Sequence, residues 1–358
     1  MRIADISARA VMAPLATPIS TAQAVIPAAP LVLVDVQTDE GASGTAYIFG
    51  YTPLTLKPLV SFLHGLRDTL IGHSAHPDDV ARATEALFRL LGRQGIVGMA
   101  LAGLDLALWD AQARALDVPV CTLFGAAPRP IPCYDSQGVF VPGRDEPLIE
   151  ASLARGFQAI KVKLGFPTRA EDVAALRAVR AIMGADRALM LDYNQAFDAP
   201  ETIARIRAIE DAGINLAWVE EPVPAEDFAG LAAVRAAVST PIQSGENWWH
   251  PADAARAFAA GTTDLAMPDM IKIGGFSGWF RAAAMAEAAA VPVSSHLFIE
   301  ASAHALAATP KAHLLEWLDI AGGLMDAPYA LRDGCVTAHG PGLGITWDAD
   351  KVAHYQLN

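Results

Sequence analysis

Ala188-Leu189-Met190-Leu191-Asp192, Ala217-Trp218-Val219-Glu220 and Pro241-Ile242-Gln243-Ser244-Gly245-Glu246 are three apolar runs, each closed by an acid. The acids stand 28 and 26 residues apart, about the length of one strand–helix–strand step with short loops. Strands that repeat one such unit apart lie side by side in a parallel sheet, with their last residues gathered at one edge. Three carboxylates gathered there repel one another unless something positive lies between them. A hard cation with oxygen ligands, most simply Mg²⁺, meets that need. Any one of the acids could instead cap the helix that follows it; the common phase of all three favours the cation.

The same phase continues in both directions. Short apolar runs end near Ser136, Lys163, Asp192, Glu220, Glu246, Asp269, His296 and Glu316, in steps of 27, 29, 28, 26, 23, 27 and 20 residues. Helical patterns fill the gaps, as over 169–183 and 200–212. Eight strand ends at this pitch predict an α/β fold, a TIM-type (β/α)7β barrel over 126–324 with a polar residue at the C-terminal mouth of each strand. Ahead of it, 2–39 reads as strands, clearest in Leu31-Val32-Leu33-Val34-Asp35-Val36, and Gly41-Ala42-Ser43-Gly44 turns into another. The period then becomes helical, over 81–91 behind the acidic turn Asp78-Asp79, and over 100–116. Strands followed by helices, without alternation, make 1–125 an N-terminal α+β capping domain. Residues 119–132, rich in prolines, read as a linker. Residues 325–358 are expected to return to the capping domain. Residues 21–30 are small, apolar and broken by prolines; they read either as a loop covering something apolar or as an ordinary long hairpin loop.

A chain of 358 residues, 53% hydrophobic, with mean hydropathy +0.30, buries a large core. Its net charge of −13 argues against nucleic acid or an anionic membrane as partner. A small anionic substrate stays open, because a bound metal and local lysines reverse the sign at one site. Cys121, Cys133 and Cys335 are too scattered for a disulfide frame or a zinc site, which points to a reduced, cytoplasmic protein. The start, Met-Arg-Ile-Ala-Asp-Ile, has no signal pattern. Charges cut the Ala-rich segments short of transmembrane length.

Lys161-Val162-Lys163 puts two ammonium groups on one face of a strand, roughly 7 Å apart. Like charges that close, partly out of water, lower the pKa of at least one, which suits a general base. His296 closes the seventh run and Asp269 the sixth, so the carboxylate can orient the imidazole as a second base. Glu316 lies between apolar neighbours. Burial there would keep it protonated, able to donate a hydrogen bond to a substrate oxygen; the alternative is an ion pair with Lys272 or an arginine. His250 and His304 read as helix-surface residues.

Taken together, these stretches resemble the enolase superfamily, and within it the mandelate racemase subgroup. The resemblance runs nearly end to end. It is carried by Tyr134-Asp135-Ser136, Lys161-Val162-Lys163, Asp192-Tyr193-Asn194-Gln195, Trp218-Val219-Glu220-Glu221-Pro222, Gly245-Glu246-Asn247-Trp248, Met267-Pro268-Asp269 with Lys272-Ile273-Gly274-Gly275, and Ser294-Ser295-His296-Leu297-Phe298. It implies one Mg²⁺ per subunit on Asp192, Glu220 and Glu246, with Glu220 rather than Glu221 as the ligand. It implies Lys163 as base on one face of the substrate's α-carbon, tuned by Lys161, which also touches the carboxylate. His296, paired with Asp269, would be the base on the other face, and Glu316 a donor to the enediolate. Ser136, Asn194 and Leu297 would contact substrate, and Val25 and Ile26 of the stretch 23–29, together with Tyr51, would form an apolar lid over it. A small-molecule carboxylate substrate and a homo-oligomer are further implications. A Lys or His base with Mg²⁺ is the general pattern of superfamily sites. The chain departs from the mandelate racemases at Gln137, where they carry His, at Trp317, where they carry Arg, and in the lid, where Pro27 is added.

The expected chemistry is abstraction of a proton α to a carboxylate. Acid and base about ten pKa units apart cost about 14 kcal/mol for transfer alone. Neither amine nor imidazole manages that without charge stabilisation on the oxygens. Bases on both faces make a racemase of mandelate-like 2-hydroxy acids. An acid-sugar dehydratase, a lyase that begins with the same abstraction, is the second expectation. A non-enzymatic carboxylate-binding protein is the third, disfavoured because every catalytic position is filled.

Overall fold

The computed structural model describes residues 1–20 and 25–357. The chain opens with an antiparallel sheet of β1 (Ile3–Ser20), β2 (Val25–Thr38) and β3 (Ser43–Phe49). Residues 25–30, expected in a loop, are strand, and pair as far out as Ile19↔Ile26 and Ser20↔Val25; residues 21–24 of that expected loop lie outside the described residues. Pro27 misleads the eye because it falls where the β1/β2 register slips between Pro14 and Ile19. A proline costs little where no ladder bond is due.

Helix Gly95–Ala115 lies on this sheet, close enough that a Cβ at Gly103 would meet the Ile48 side chain at 2.5 Å. By length and composition it is apolar enough to cross a membrane, contrary to the expectation from sequence. Its apolar window is 78% buried instead, with one face against β2 and β3 and another against helix Gly275–Ala288 of the barrel. Tyr47 Oη, donating to Glu300 Oε2 at 2.6 Å, and Trp109 Nε1, donating to Ser277 Oγ at 3.1 Å, tie the two parts.

The barrel strands are β4 (Pro130–Val139), β5 (Ala159–Lys163), β6 (Ala188–Asp192), β7 (Trp218–Glu220), β8 (Ile242–Ser244), β9 (Leu265–Ala266) and β10 (Leu315–Trp317), parallel in the order β10-β4-β5-β6-β7-β8-β9. Residues 293–296 close the ring as the eighth stave. They bridge Ala266↔Val293 and Asp269↔His296 on one side and Val293↔Ala312 on the other, with Ser295 N donating to Leu314 O at 3.1 Å. This is the expected (β/α)7β architecture. Residues 119–132 are more than a linker: Val120–Leu123 is helical, and β4 begins at Pro130, paired with β11 (Cys335–Thr337). The C-terminal segment reaches the first sheet, where Trp347 Nε1 donates to Thr45 Oγ1 at 2.7 Å and Leu357 N to Ala10 O at 2.8 Å.

Both histidines set aside as surface residues are otherwise placed. His250 is half-buried at the start of a helix, with φ of 63°. His304 is fully buried. Its Nδ1 accepts from Cys121 N at 3.2 Å and its Nε2 lies 3.2 Å from Tyr329 Oη. Tyr329 Oη donates to Leu343 O at 2.9 Å, so the ring is neutral with the proton on Nε2. Helical period alone does not show this, because this helix is covered on all sides.

Burial, aided by His339, holds the His304 pKa down to about 3 from 6.5. The folded protein then refuses a proton that the unfolded chain accepts between those values. Stability is lost as pH falls through that window, by up to about 1.4 kcal/mol per pH unit. His304→Gln should lower stability overall and flatten its slope between pH 6 and 4, as read from urea midpoints. An unchanged slope would assign the acid limb to other groups.

Candidate active site

The register aligns the site before any side chain is considered. Ser136 stands opposite Lys161, Lys163 opposite Asp192, and Asp192 opposite Glu220. Glu246 follows β8, Asp269 follows β9, and His296 and Glu316 lie on the last two staves. The capping alternative fails for the three acids. The helices after Asp192 and Glu220 are capped by Asp198 and Asp227, and the helix after Glu246 has no side-chain cap. Asp269 does cap: its Oδ1 accepts from Ile271 N and Lys272 N, which leaves Oδ2 free for His296 Nδ1 at 2.7 Å.

Lys161 is buried among acids from three other strands. It contacts Glu220 Oε1, lies 2.9 Å from Glu316 Oε1 and 3.8 Å from Asp192 Oδ2. Lys163 bonds Asp192 Oδ2 at 2.5 Å and Asn194 Oδ1 at 3.0 Å. Their pKa values are not lowered as expected. Burial pulls both down, but the carboxylates override it, chiefly Glu220 and Glu316 at Lys161 and Asp192 at Lys163. Period two places the lysines on one face; it does not reveal the acids that arrive from neighbouring strands.

Glu316 also departs from expectation. Burial would raise it, yet Lys161 and His296 hold it down to about 2. It is an ionised acceptor, taking Leu297 N at 2.9 Å, and its cationic partner is Lys161 rather than Lys272 or an arginine. His296 is raised to about 9, because Glu246, Glu316 and Asp269 outweigh its burial. Its Nε2 lies 3.2 Å from Glu246 Oε2.

Glu220 is pushed up to about 8, first by burial, then by Asp192, Glu316 and Glu246, against the pull of Lys161. The mouth is short of positive charge as it stands. Among the described residues no three acid, His or Cys side chains stand close enough to hold an ion, and Lys161 Nζ contacts both Asp192 and Glu220. The donor set nevertheless suits a hard divalent cation, with carboxylate oxygens from Asp192, Glu220 and Glu246 and no thiolate. Glu221 turns the other way, with φ of 38°, and accepts from Asn247 Nδ2 at 2.8 Å and Gly245 N at 3.3 Å.

Several supporting groups were missed. Trp218 Nε1 and Gln243 Nε2 donate to Glu220 Oε2 at 3.2 and 3.3 Å; Trp218, two residues before Glu220, shares its face by period alone. Lys272 Nζ bonds Asn247 Oδ1 at 2.7 Å. Tyr51 is more than an apolar wall, since its hydroxyl donates to Asp269 Oδ2 at 3.2 Å. Ile26 is half-buried against the main core and Leu297 is buried. Ser136, Gln137, Lys163 and Trp317 border a cavity of about 390 Å³ that runs under β1 to Arg155. Strained backbone marks the same rim: Tyr51, Asn194, Gln195, Glu221, Leu297 and Phe298 all have positive φ.

Residues 3–125 match the family model of the mandelate racemase/muconate lactonizing enzyme N-terminal domain, and residues 147–351 that of the enolase C-terminal domain-like family. A crystal structure of an enolase from Bradyrhizobium, complexed with magnesium and mandelic acid, is 48% identical, with a TM-score of 0.96 over 100% of this chain and 99% of that one. The L-talarate/galactarate dehydratase of Salmonella typhimurium is 29% identical over 93% of this chain and 86% of its own. The L-Ala-D/L-Glu epimerase of Bacillus subtilis is 30% identical over 96% and 97%.

Removing Lys161 tests the charge balance directly. Lys161→Met strands Glu220 and Glu316 without their buried counter-charge, and should destabilise the metal-free protein by about 3–5 kcal/mol. Thermal unfolding in chelator should show that loss, and millimolar Mg²⁺ should recover more stability in the variant than in the parent protein.

Proposed function

Because the chain belongs to the mandelate racemase/muconate lactonizing enzyme family of the enolase superfamily, we propose that it racemises 2-hydroxy carboxylates with an apolar, mandelate-like substituent. The carrying observation is the placement of two proton-transfer groups on separate staves, each bonded to its own acid. Lys163 on β5 is held by Asp192, and His296 on the eighth stave is held by Asp269. Strands β4 and β10 separate them on one side and β6 to β9 on the other, so a substrate carbon at the mouth is reached from two faces.

Asp192, Glu220 and Glu246 would hold one Mg²⁺ per subunit. When bound, the ion supplies positive charge beside the substrate's carboxylate oxygens. The step needs one base neutral and the other protonated. Lys163 would have to give up the proton that Asp192 helps it hold, and as neutral amine it would take the α-proton while imidazolium His296 returns one to the opposite face. In the reverse direction neutral His296 would take the proton and the Lys163 ammonium return one. Lys161, buried against Glu220, Glu316 and Asp192, would offset charge arriving on the substrate carboxylate. Ser136 and Asn194 would orient the substrate, and the bond from Lys163 Nζ to Asn194 Oδ1 supports that role for Asn194.

A second reading, dehydration of an acid sugar, is favoured by the cavity beside Lys163. Gln137, Arg155 and Asp319 on its walls would suit a hydroxylated substituent. The two readings part in one experiment. In D₂O with Mg²⁺, ¹H NMR should show either enantiomer of mandelate losing its α-proton signal and inverting. A 2-keto-3-deoxy product from an acid sugar, with mandelate inert, would establish the second instead. Inertness toward every acid would overturn both.

A further inference from the structure

Tyr51 lies outside the barrel sequence, in the turn that leaves β3, and it enters the site in a strained conformation. Its φ is 59°, and Thr52 N donates across it to Gly50 O at 2.6 Å, a γ-turn closed around a bulky residue. Tight γ-turns of this hand are rare and costly. The turn is held from both sides. Gly50 N donates to Pro30 O of β2 at 2.7 Å, and Thr55 Oγ1 donates to Gly50 O at 2.7 Å. A Cβ at Gly50 would meet Thr55 Oγ1 at 2.6 Å, so the close approach needs the glycine.

That conformation gives the side chain two contacts. The hydroxyl donates to Asp269 Oδ2, the oxygen that also takes His296 Nδ1. The ring face lies 4.5 Å from Lys272 Nζ, whose Asn247 partner donates to Glu246 Oε1 at 3.1 Å. The Lys163 side has no such link among the described residues; its bonds go to Asp192 and Asn194 inside the barrel.

We propose that Tyr51 is a positioning residue for His296 alone, through which docking of the capping sheet sets the imidazole and leaves the Lys163 face independent. The hydroxyl pins Asp269 Oδ2. Without it, one donor fewer holds that oxygen, and the imidazole is drawn from its Nε2 side toward Glu246 at 3.2 Å and Glu316 at 3.9 Å. A reacting group displaced by about 1 Å costs up to about a hundredfold in rate. Because Tyr51 touches Asp269 and not the imidazole, its effect is one of aim.

The inference rests on the two-base reading above, and the test separates the two. Racemisation rates cannot distinguish the faces, since both directions share one equilibrium. Loss of the α-proton in D₂O, followed separately for each enantiomer of mandelate, can. His296→Asn identifies the enantiomer whose proton faces His296, as the one that ceases to exchange. Tyr51→Phe keeps the ring over Lys272 and removes only the hydroxyl. It should slow exchange of that enantiomer about tenfold relative to the other, with Mg²⁺ affinity unchanged. Equal slowing of both enantiomers, or an unmoved ratio, overturns the inference while leaving the two-base reading intact. Absence of exchange in the parent protein overturns both. A second measurement needs no substrate: with ¹⁵N-labelled histidine, the Nδ1 proton of His296 should shift in Tyr51→Phe, and an unshifted signal overturns the inference.

Discussion

The structure depends on the charge gathered inside one ring of strand ends. Asp192, Glu220, Glu246, Asp269 and Glu316 face Lys161, Lys163 and His296 there. Five carboxylates against two ammonium groups and one imidazolium leave two negative charges, the amount that one divalent ion cancels. Burial first, and then its acid neighbours Asp192, Glu316 and Glu246, raise Glu220 to about 8 against the pull of Lys161. The remainder of the fold serves to keep these groups together and out of water, where their attraction for a cation is strongest.

The barrel was legible in the chain because its pitch is regular. Even the eighth stave, joined only by isolated bridges, showed itself through His296 in phase with its predecessors. The outer half of the first hairpin was not legible. Pro27 argues against strand by propensity, and only the register slip between β1 and β2 explains why it is tolerated.

The identities of the mouth residues were legible as well, while their protonation was not. Lys161 and Lys163 look like a repelling pair when one strand is read alone. Glu220 and Glu316 reach Lys161 from across the ring, and their attraction reverses the sign of its shift. Glu316 is reversed by the same contact. The bond from Tyr51 to Asp269 spans 218 residues and two domains, so no local period could announce it. Pairings of this kind are products of closure, and they decide which proton sits where.

Beyond Pro30, whose carbonyl takes Gly50 N, the backbone pairing of the described hairpin residues runs between its own two strands. Pro14, Ala16 and Pro18 on that arm roof the cavity beside Lys163. None of the charged groups of the ring lies on this arm. The shape of that cavity wall can therefore change residue by residue while the charges that face it stay as they are.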